Sequence, residues 1–401
     1  MSPEGQYRSF QEPLPSDAKK KFPLATSVTV CIIMGAIFGA LLIGIASWDG
    51  HSPEEKMDVQ TITEDAYFEL RGDFLPEREI FTVSLTKDGK IAFALNDDIS
   101  SRYVYYSWWL LDRDHVSSDS TFMYLKHTGE KVEKAEPVLY YLSQKPGEYE
   151  VRVDCYADSD GDRVYGAKYS GMVSYIGSVE REYNWRYKGE NYAAKVTFGY
   201  DEYRFYKEMK PYGRDVVRYT NTVSFVTYLD PAVTGLAESL REAYGGTKDM
   251  TGQDFASFVL GFVQICFDYP PYSNLMEADM YVYGKDEYFA YPLETIFYGM
   301  GDCEDTSILC TALFKALGYD AAVLVVPGHA LAAVGLSGYT PEPYSESRFE
   351  IISQEIKSVT YYACETTVDA YQGIGLVGTS GYEDKPYSWY VNKRGYGFFV
   401  V

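Results

Sequence analysis

The sequence predicts an α+β protein in three parts: a single N-terminal transmembrane helix, a β-sandwich, and an α+β domain whose central helix packs on an antiparallel sheet. Three observations predict it. Leu24 to Ser47 runs for 24 residues without a charge. Residues 66–178 carry short alternating apolar runs broken by turn residues, the spacing of a two-layer β structure. From residue 230 onward, helical apolar stripes alternate with β-branched runs. A chain of 401 residues has room for two or three domains. Its 40 tyrosines favour sheets over helical bundles.

Residues 1–23 are polar, contain Lys19-Lys20-Lys21, and read as a cytoplasmic tail. As a helix, residues 24–47 would reach about 36 Å, enough to cross roughly 30 Å of hydrocarbon. The preceding lysines set the N-terminus inside. This apolar run is longer than the roughly 7–15 residues of a cleaved signal peptide core, which favours an uncleaved signal anchor. The expected location is therefore the cell membrane, single-pass, with the bilayer contacting residues 24–47 and the remainder extracellular. Residues 48–65 are acidic and polar, and read as a linker. The net charge is −22. Such a surface repels phosphate backbones, which excludes nucleic acid as a partner.

In the sandwich region, Ile80–Leu85 and Ile91–Leu95 flank the turn Lys87-Asp-Gly-Lys. Tyr103–Leu111, Val138–Leu142 and Glu148–Ala157 supply further strands. Lys145-Pro-Gly-Glu-Tyr-Glu-Val-Arg-Val, followed by Asp158-Ser-Asp-Gly-Asp, resembles the last hairpin of immunoglobulin-like PKD-type domains. The acidic turn lacks the glycine placement of an EF-hand loop and reads as a solvated hairpin. Residues 179–229 form a β-rich connecting segment, with strands expected at Tyr183–Tyr187, Val196–Tyr200 and Tyr203–Tyr206. Packing of strand on strand is expected for their aromatic and arginine side chains.

Residues 230–401 open with a helix from Pro231 to Tyr244, with Pro at its first position and Gly245-Gly246 after its end. Thr251 is placed to cap a second helix, along which Phe255, Phe258, Val259, Phe262, Val263 and Cys266 form an apolar stripe. Residues 270–290 lack periodicity and read as a loop, after which Tyr291–Tyr298 leads into Gly299. Asp302 is a good N-cap, and Asp305 three residues on matches the acidic partner of a capping box. Ile308, Leu309, Ala312, Leu313, Ala316 and Leu317 then recur at helical spacing as far as Gly318. Cys303 therefore sits at the positive end of a helix dipole, where a thiolate is favoured. Glu304 and Asp305 act against this. The dipole and an ion pair with His329 are expected to outweigh them, because both acidic side chains should point away around the helix. Val323–Val326 reads as a buried strand, ended by Pro327-Gly328 and followed by His329. Strands near 330–336 and 359–364 follow, the latter ending at Glu365. Residues 337–357 read as a polar loop, and the segments around Gly373 and Gly395 are expected to close the sheet.

A helix-terminal cysteine, a histidine after the next strand and a carboxylate after a later one make a set suited to nucleophilic acyl transfer. Gly301-Asp-Cys-Glu-Asp, Pro327-Gly-His and Glu365-Thr-Thr resemble the transglutaminase-like superfamily of papain-type cysteine enzymes, over roughly residues 230–401. The resemblance implies Cys303 as nucleophile, His329 as general base and Glu365 as its orienting carboxylate, where the family usually has Asp. It implies a thioester intermediate on the carboxamide of a protein or peptide substrate, resolved by water or by an amine. The Cys303 N–H would serve the oxyanion, with Gln264 or Tyr291 as the second donor. No cofactor and no metal cluster is implied. The competing reading is a non-catalytic surface or adhesion protein that binds through its sandwich. The remaining cysteines, 31, 155, 266, 310 and 364, lack a regular disulfide spacing; the four outside the apolar segment read as small buried hydrophobes, with one disulfide among them left open by the sequence.

Overall fold

The computed structural model describes residues 58–63, 66–72, 80–85, 91–114, 132–134, 137–141, 146–209, 219–245, 252–270, 278–285, 287–368, 371–379, 381–393 and 395–401. The anchor segment 24–47, the tail before it, the Lys87 turn, Thr251 and Cys31 lie outside these residues. Among the described residues no helix is long and apolar enough to cross a membrane. Met57–Val401 clusters as one compact unit of α+β structure.

Eleven strands come first: β1 (Asp58–Thr63), β2 (Ala66–Gly72), β3 (Phe81–Leu85), β4 (Ile91–Leu95), β5 (Tyr105–Asp112), β6 (Val132–Lys134), β7 (Val138–Tyr141), β8 (Gly147–Ser159), β9 (Asp162–Ile176), β10 (Ser178–Tyr187) and β11 (Glu190–Gly199). A four-residue helix, α1 (Asp97–Ser100), interrupts them. The expected linker thus contains a strand, because Asp58–Thr63 pairs antiparallel with β2. One sheet has the order β1-β2-β9-β8-β5-β6, and a second has the order β3-β4-β7. The two share one core: Phe81, Val83, Phe93 and Leu139 of the smaller sheet cluster with Trp108, Val151, Val153 and Val173 of the larger. Strict alternation in β8, buried at Tyr149, Val151, Val153 and Cys155, puts one strand face in that core. The β8–β9 turn falls at the acidic stretch, with Asp160 at φ 55° and Gly161 at φ 89°, a pair of left-handed residues that a tight hairpin requires.

β10 and β11 form a separate hairpin in register from Ser178↔Gly199 to Tyr187↔Glu190. The expected strand Tyr203–Tyr206 is instead helical, within α2 (Tyr200–Glu208). Glu202 Oε2 accepts the Gly199 N–H at 3.2 Å, and Asp201 and Glu202 place negative charge in the first turn. These helix-starting features override the aromatic composition. The hairpin aromatics also find a helix where a strand was expected. Trp185 meets Phe258 and Phe262 of the helix Gln253–Cys266 at centroid distances of 5.5 and 5.0 Å, and Tyr187 meets Phe258 at 5.6 Å.

The remaining helices are α3 (Pro231–Tyr244), α4 (Gln253–Cys266), α5 (Ala278–Tyr283), α6 (Pro292–Tyr298), α7 (Cys303–Ala316) and α8 (Tyr387–Tyr390). Asp230 caps α3 by accepting from Ala232 N and Val233 N, and Gly245 ends it at φ 96°. α4 is buried on every side from Phe255 to Gln264, so its apolar surface is a full girdle and not a stripe. α5 lies within the segment expected as loop. The last strands are β12 (Ala321–Val326), β13 (His329–Gly335), β14 (Phe349–Ile351), β15 (Ser353–Ile356), β16 (Val359–Cys364), β17 (Leu376–Gly378) and β18 (Gly397–Val400). They form an antiparallel sheet of order β15-β16-β13-β12-β18, against which α7 packs. β18 joins this sheet as expected, whereas β17 pairs with β14 in a separate ribbon.

Candidate active site

α7 begins at Cys303 because Asp302 Oδ1 accepts the N–H groups of Glu304 at 3.1 Å and Asp305 at 3.3 Å. Asp305 does not reach back as a capping-box partner. Its oxygens accept from Ala290 N at 2.8 Å and Tyr283 Oη at 2.7 Å. β12 and β13 turn tightly at Pro327-Gly328, with Gly328 at φ 65°, and His329 opens β13. β16 lies beside β13 in the register Ala332↔Cys364, so the residue after β16, Glu365, comes alongside the start of β13.

The structure brings His329 and Glu365 into contact: Nε2 lies 2.7 Å from Oε2, with the side chains only 14 % and 12 % exposed. The other carboxylate oxygen accepts from Thr366 N, Thr367 N and Thr367 Oγ1 at 2.9, 3.1 and 3.0 Å. Burial opposes charge on both groups. Glu365 nevertheless raises the His329 pKa above its ordinary value, and His329 with the Thr367 donors holds the Glu365 carboxyl below its own. The pair is therefore an imidazolium and a carboxylate at moderately acidic pH.

Three hydroxyls tie the start of α7 to both partners. Thr306 Oγ1 and Ser307 Oγ lie 2.9 and 3.1 Å from Thr366 Oγ1, and Ser307 Oγ donates to the carbonyl of Ala330 at 3.1 Å. All three side chains are buried. Sequence reading missed this tie; polar residues at 306 and 307 on an otherwise apolar helix were its one visible sign. Gln264, considered as an oxyanion donor, is engaged elsewhere: Nε2 donates to the carbonyls of Glu365 at 2.6 Å and Gln372 at 3.0 Å. Tyr291 Oη points to Met209 Sδ at 3.3 Å.

Cys303 departs from expectation. Its thiol donates to Glu304 Oε2 at 2.8 Å and makes no hydrogen bond to the imidazole. Burial, then Glu304 and Asp302, push the thiol well above its ordinary pKa, against a lowering by the nearby backbone of Ala330. The helix start leaves Glu304 free to fold back on the sulfur, and burial removes the screening that would weaken the repulsion. These surroundings favour the thiol over the thiolate. A carboxylate-held imidazole can accept and return a proton.

An open cavity of about 710 Å³, lined by Lys188, Tyr244, Gln253, Asp254, Thr340 and Glu342 among others, includes none of these three residues. Among the described residues Cys155, Cys266, Cys303, Cys310 and Cys364 are all free thiols, and Cys155, Cys310 and Cys364 are buried. No protein family, no curated protein and no solved structure matches the chain.

Proposed function

We propose that this protein is a membrane-anchored, extracytoplasmic cysteine acyl-transfer enzyme of the transglutaminase-like type, acting on carboxamides of proteins or peptides through Cys303, His329 and Glu365. The observation that carries this reading is the buried 2.7 Å contact between His329 Nε2 and Glu365 Oε2, beside the strand whose Ala330 backbone bears on the Cys303 sulfur. This reading has the sandwich in the immunoglobulin or PKD-like class and a transmembrane signal anchor at residues 24–47. With Nε2 held by Glu365, Nδ1 is the nitrogen left to take the thiol proton. The sulfur then attacks the carbonyl carbon. The C–N bond breaks, and the proton on His329 leaves with the amine. The resulting thioester is opened by water, giving a carboxylic acid, or by a lysine amine, giving a new amide; either step restores the thiol. Hydrolysis is preferred because it needs no second substrate pocket.

A second reading, a non-catalytic surface-binding protein, is favoured by the Cys303–Glu304 hydrogen bond and by surroundings that favour the thiol over the thiolate. One experiment separates the two. The full-length protein is incubated with a glutamine-containing peptide library, with and without a primary amine, and products are read by mass spectrometry. Cleavage, deamidation and amine incorporation each give a distinct mass. The enzyme reading expects one of these, reduced by about 10²-fold or more in His329→Ala and abolished in Cys303→Ala. Product formed at equal rates by the wild type and Cys303→Ala, or no product at all, leaves the binding protein.

A further inference from the structure

The contact that ties α2 to the first sheets holds more than an ion pair requires. Asp114 follows β5, Glu148 is near the start of β8, and Lys207 lies in the last turn of α2. Lys207 Nζ stands 2.6 Å from Asp114 Oδ1 and 3.6 Å from Glu148 Oε2. The Asp114 side chain is 1 % exposed and that of Lys207 29 %, so the carboxyl end is dry and the amine end keeps one way out to solvent. Asp114 Oδ2 accepts from the Glu148 N–H and the Tyr200 hydroxyl, each at 2.8 Å. Glu148 Oε1 is held by Arg71 at 2.7 Å, which leaves Oε2 to face Lys207. Tyr200 and Tyr203, both fully buried, flank the contact, with Nζ 6.0 Å from the Tyr203 ring centre. One buried carboxyl thus has an amine on one oxygen, two hydrogen-bond donors on the other, and a second carboxylate within reach of the amine.

We propose that Lys207 and Asp114 condense, without help from Cys303, into an amide within the chain, with Glu148 carrying the proton. Burial disfavours the Lys207 ammonium, but Asp114 and then Glu148 favour it, and the balance leaves its pKa above the ordinary lysine value. The reactive form is therefore a minor one, in which the ammonium has passed a proton to Asp114 Oδ1. The amine then attacks Cγ and the C–N bond forms. Negative charge develops on Oδ2, where the Glu148 N–H and the Tyr200 hydroxyl already point. Glu148 Oε2 takes a second proton from Nζ and delivers it to Oδ1. The Cγ–Oδ1 bond breaks, water leaves, and Nζ keeps one hydrogen. Two groups held in contact react with an effective molarity of about 10⁵–10⁸ M, which offsets the scarcity of the reactive form. Condensation also replaces two poorly solvated charges with a neutral amide, while Arg71 and Glu148 remain to balance each other. The bond would clamp the sandwich to α2 covalently. It stands apart from the acyl-transfer reading, and neither requires the other.

Mass spectrometry of the full-length protein reads the outcome. The wild type should weigh one water less than its chain, and protease digestion should release one branched peptide joining the Asp114 and Lys207 segments. Lys207→Arg keeps the positive charge but cannot condense, so it should retain its full mass and give no branched peptide. Glu148→Gln, the second variant should the first fail to fold, should form the link at least about 10²-fold more slowly and remain unlinked when the wild type is complete. Cys303→Ala should carry the link as the wild type does. Four results overturn the proposal: a wild type of full mass with no branched peptide, a water loss that persists in Lys207→Arg, equal linkage in wild type and Glu148→Gln, or loss of the link in Cys303→Ala. The last would assign the bond to the candidate enzyme site instead.

Discussion

His329 and Glu365 hold each other in opposite charge states, and the pH dependence follows from the two shifts. The raised His329 pKa contributes stability that is complete below the ordinary histidine value of about 6.5 and is lost as pH rises through the raised one. The lowered Glu365 pKa contributes stability complete above about 4.5 and lost as pH falls through the lowered one. The pair is therefore worth most between those two pH values. Glu365→Gln should cost about 3 kcal/mol near pH 5.5, since it leaves a buried imidazolium without its counter-charge. The deficit should shrink towards pH 9, as the imidazole loses its proton. Denaturant melts of both proteins at the two pH values check this; an equal deficit at both would show that the contact is not an ion pair. Cys303 gives the opposite lesson about single residues. Its position at a helix start was legible, but the return of the Glu304 side chain onto the sulfur was not, because rotamers are not written in spacing.

Among the elements, α3 and α7 were legible to within a residue or two because their ends are chemically marked. Asp230 and Asp302 cap them, and Gly245 and Gly318 stand after their ends at φ 96° and 91°. α2 was not legible, since four of its nine residues are aromatic and strand-like in composition while its capping glutamate sits inside the helix. α4 reveals a close approach that no pattern announces. A Cβ on Gly261 would stand 2.8 Å from Cδ2 and Cε2 of Tyr187 and 3.3 Å from Tyr371 Cδ2. Gly261→Ala should gain about 1 kcal/mol of helix propensity and lose about 1–3 kcal/mol to overpacking. Tyr187 is only 5 % exposed and sandwiched by Phe258 and Tyr371, so it has little room to yield. The expected outcome is net destabilisation, read as a lower midpoint in urea. A higher midpoint would mean that the β10–β11 hairpin slides on α4 without strain.

Over the whole molecule, the first two sheets and the later helices are joined by charge as well as by chain. Asp114, 2 % exposed, follows β5 and accepts from Glu148 N at 2.8 Å, Tyr200 Oη at 2.8 Å and Lys207 Nζ at 2.6 Å. Arg204 of the same helix, α2, grips Glu69 of β2 with both terminal nitrogens. α2 is thus the bracket between the early sheets and the later core. Asp114→Ala should cost about 3–5 kcal/mol, because Lys207 loses its closest partner in a poorly solvated place. Calorimetry should then resolve two transitions where the wild type shows one; a single transition at reduced temperature would mean that apolar contacts alone couple the halves. Such long-range joins were invisible in the sequence. Asp114 and Glu69 carry no motif, and each meets its partners only after the chain has folded back. The β8–β9 hairpin, the Asp302 cap and the two strands that meet at His329 were visible because they are fixed by neighbours in sequence.

β13 and β16 are adjacent rungs of one hydrogen-bonded ladder, with His329 at the end of one and Glu365 just past the end of the other. Neighbouring strands keep a spacing of about 4.8 Å whatever links them. That spacing acts as a ruler for the imidazole and the carboxylate, and the 337–348 stretch connecting the two arms has no part in setting it. Insertions or wholesale replacement there should alter what approaches the pair while leaving the pair itself in gauge.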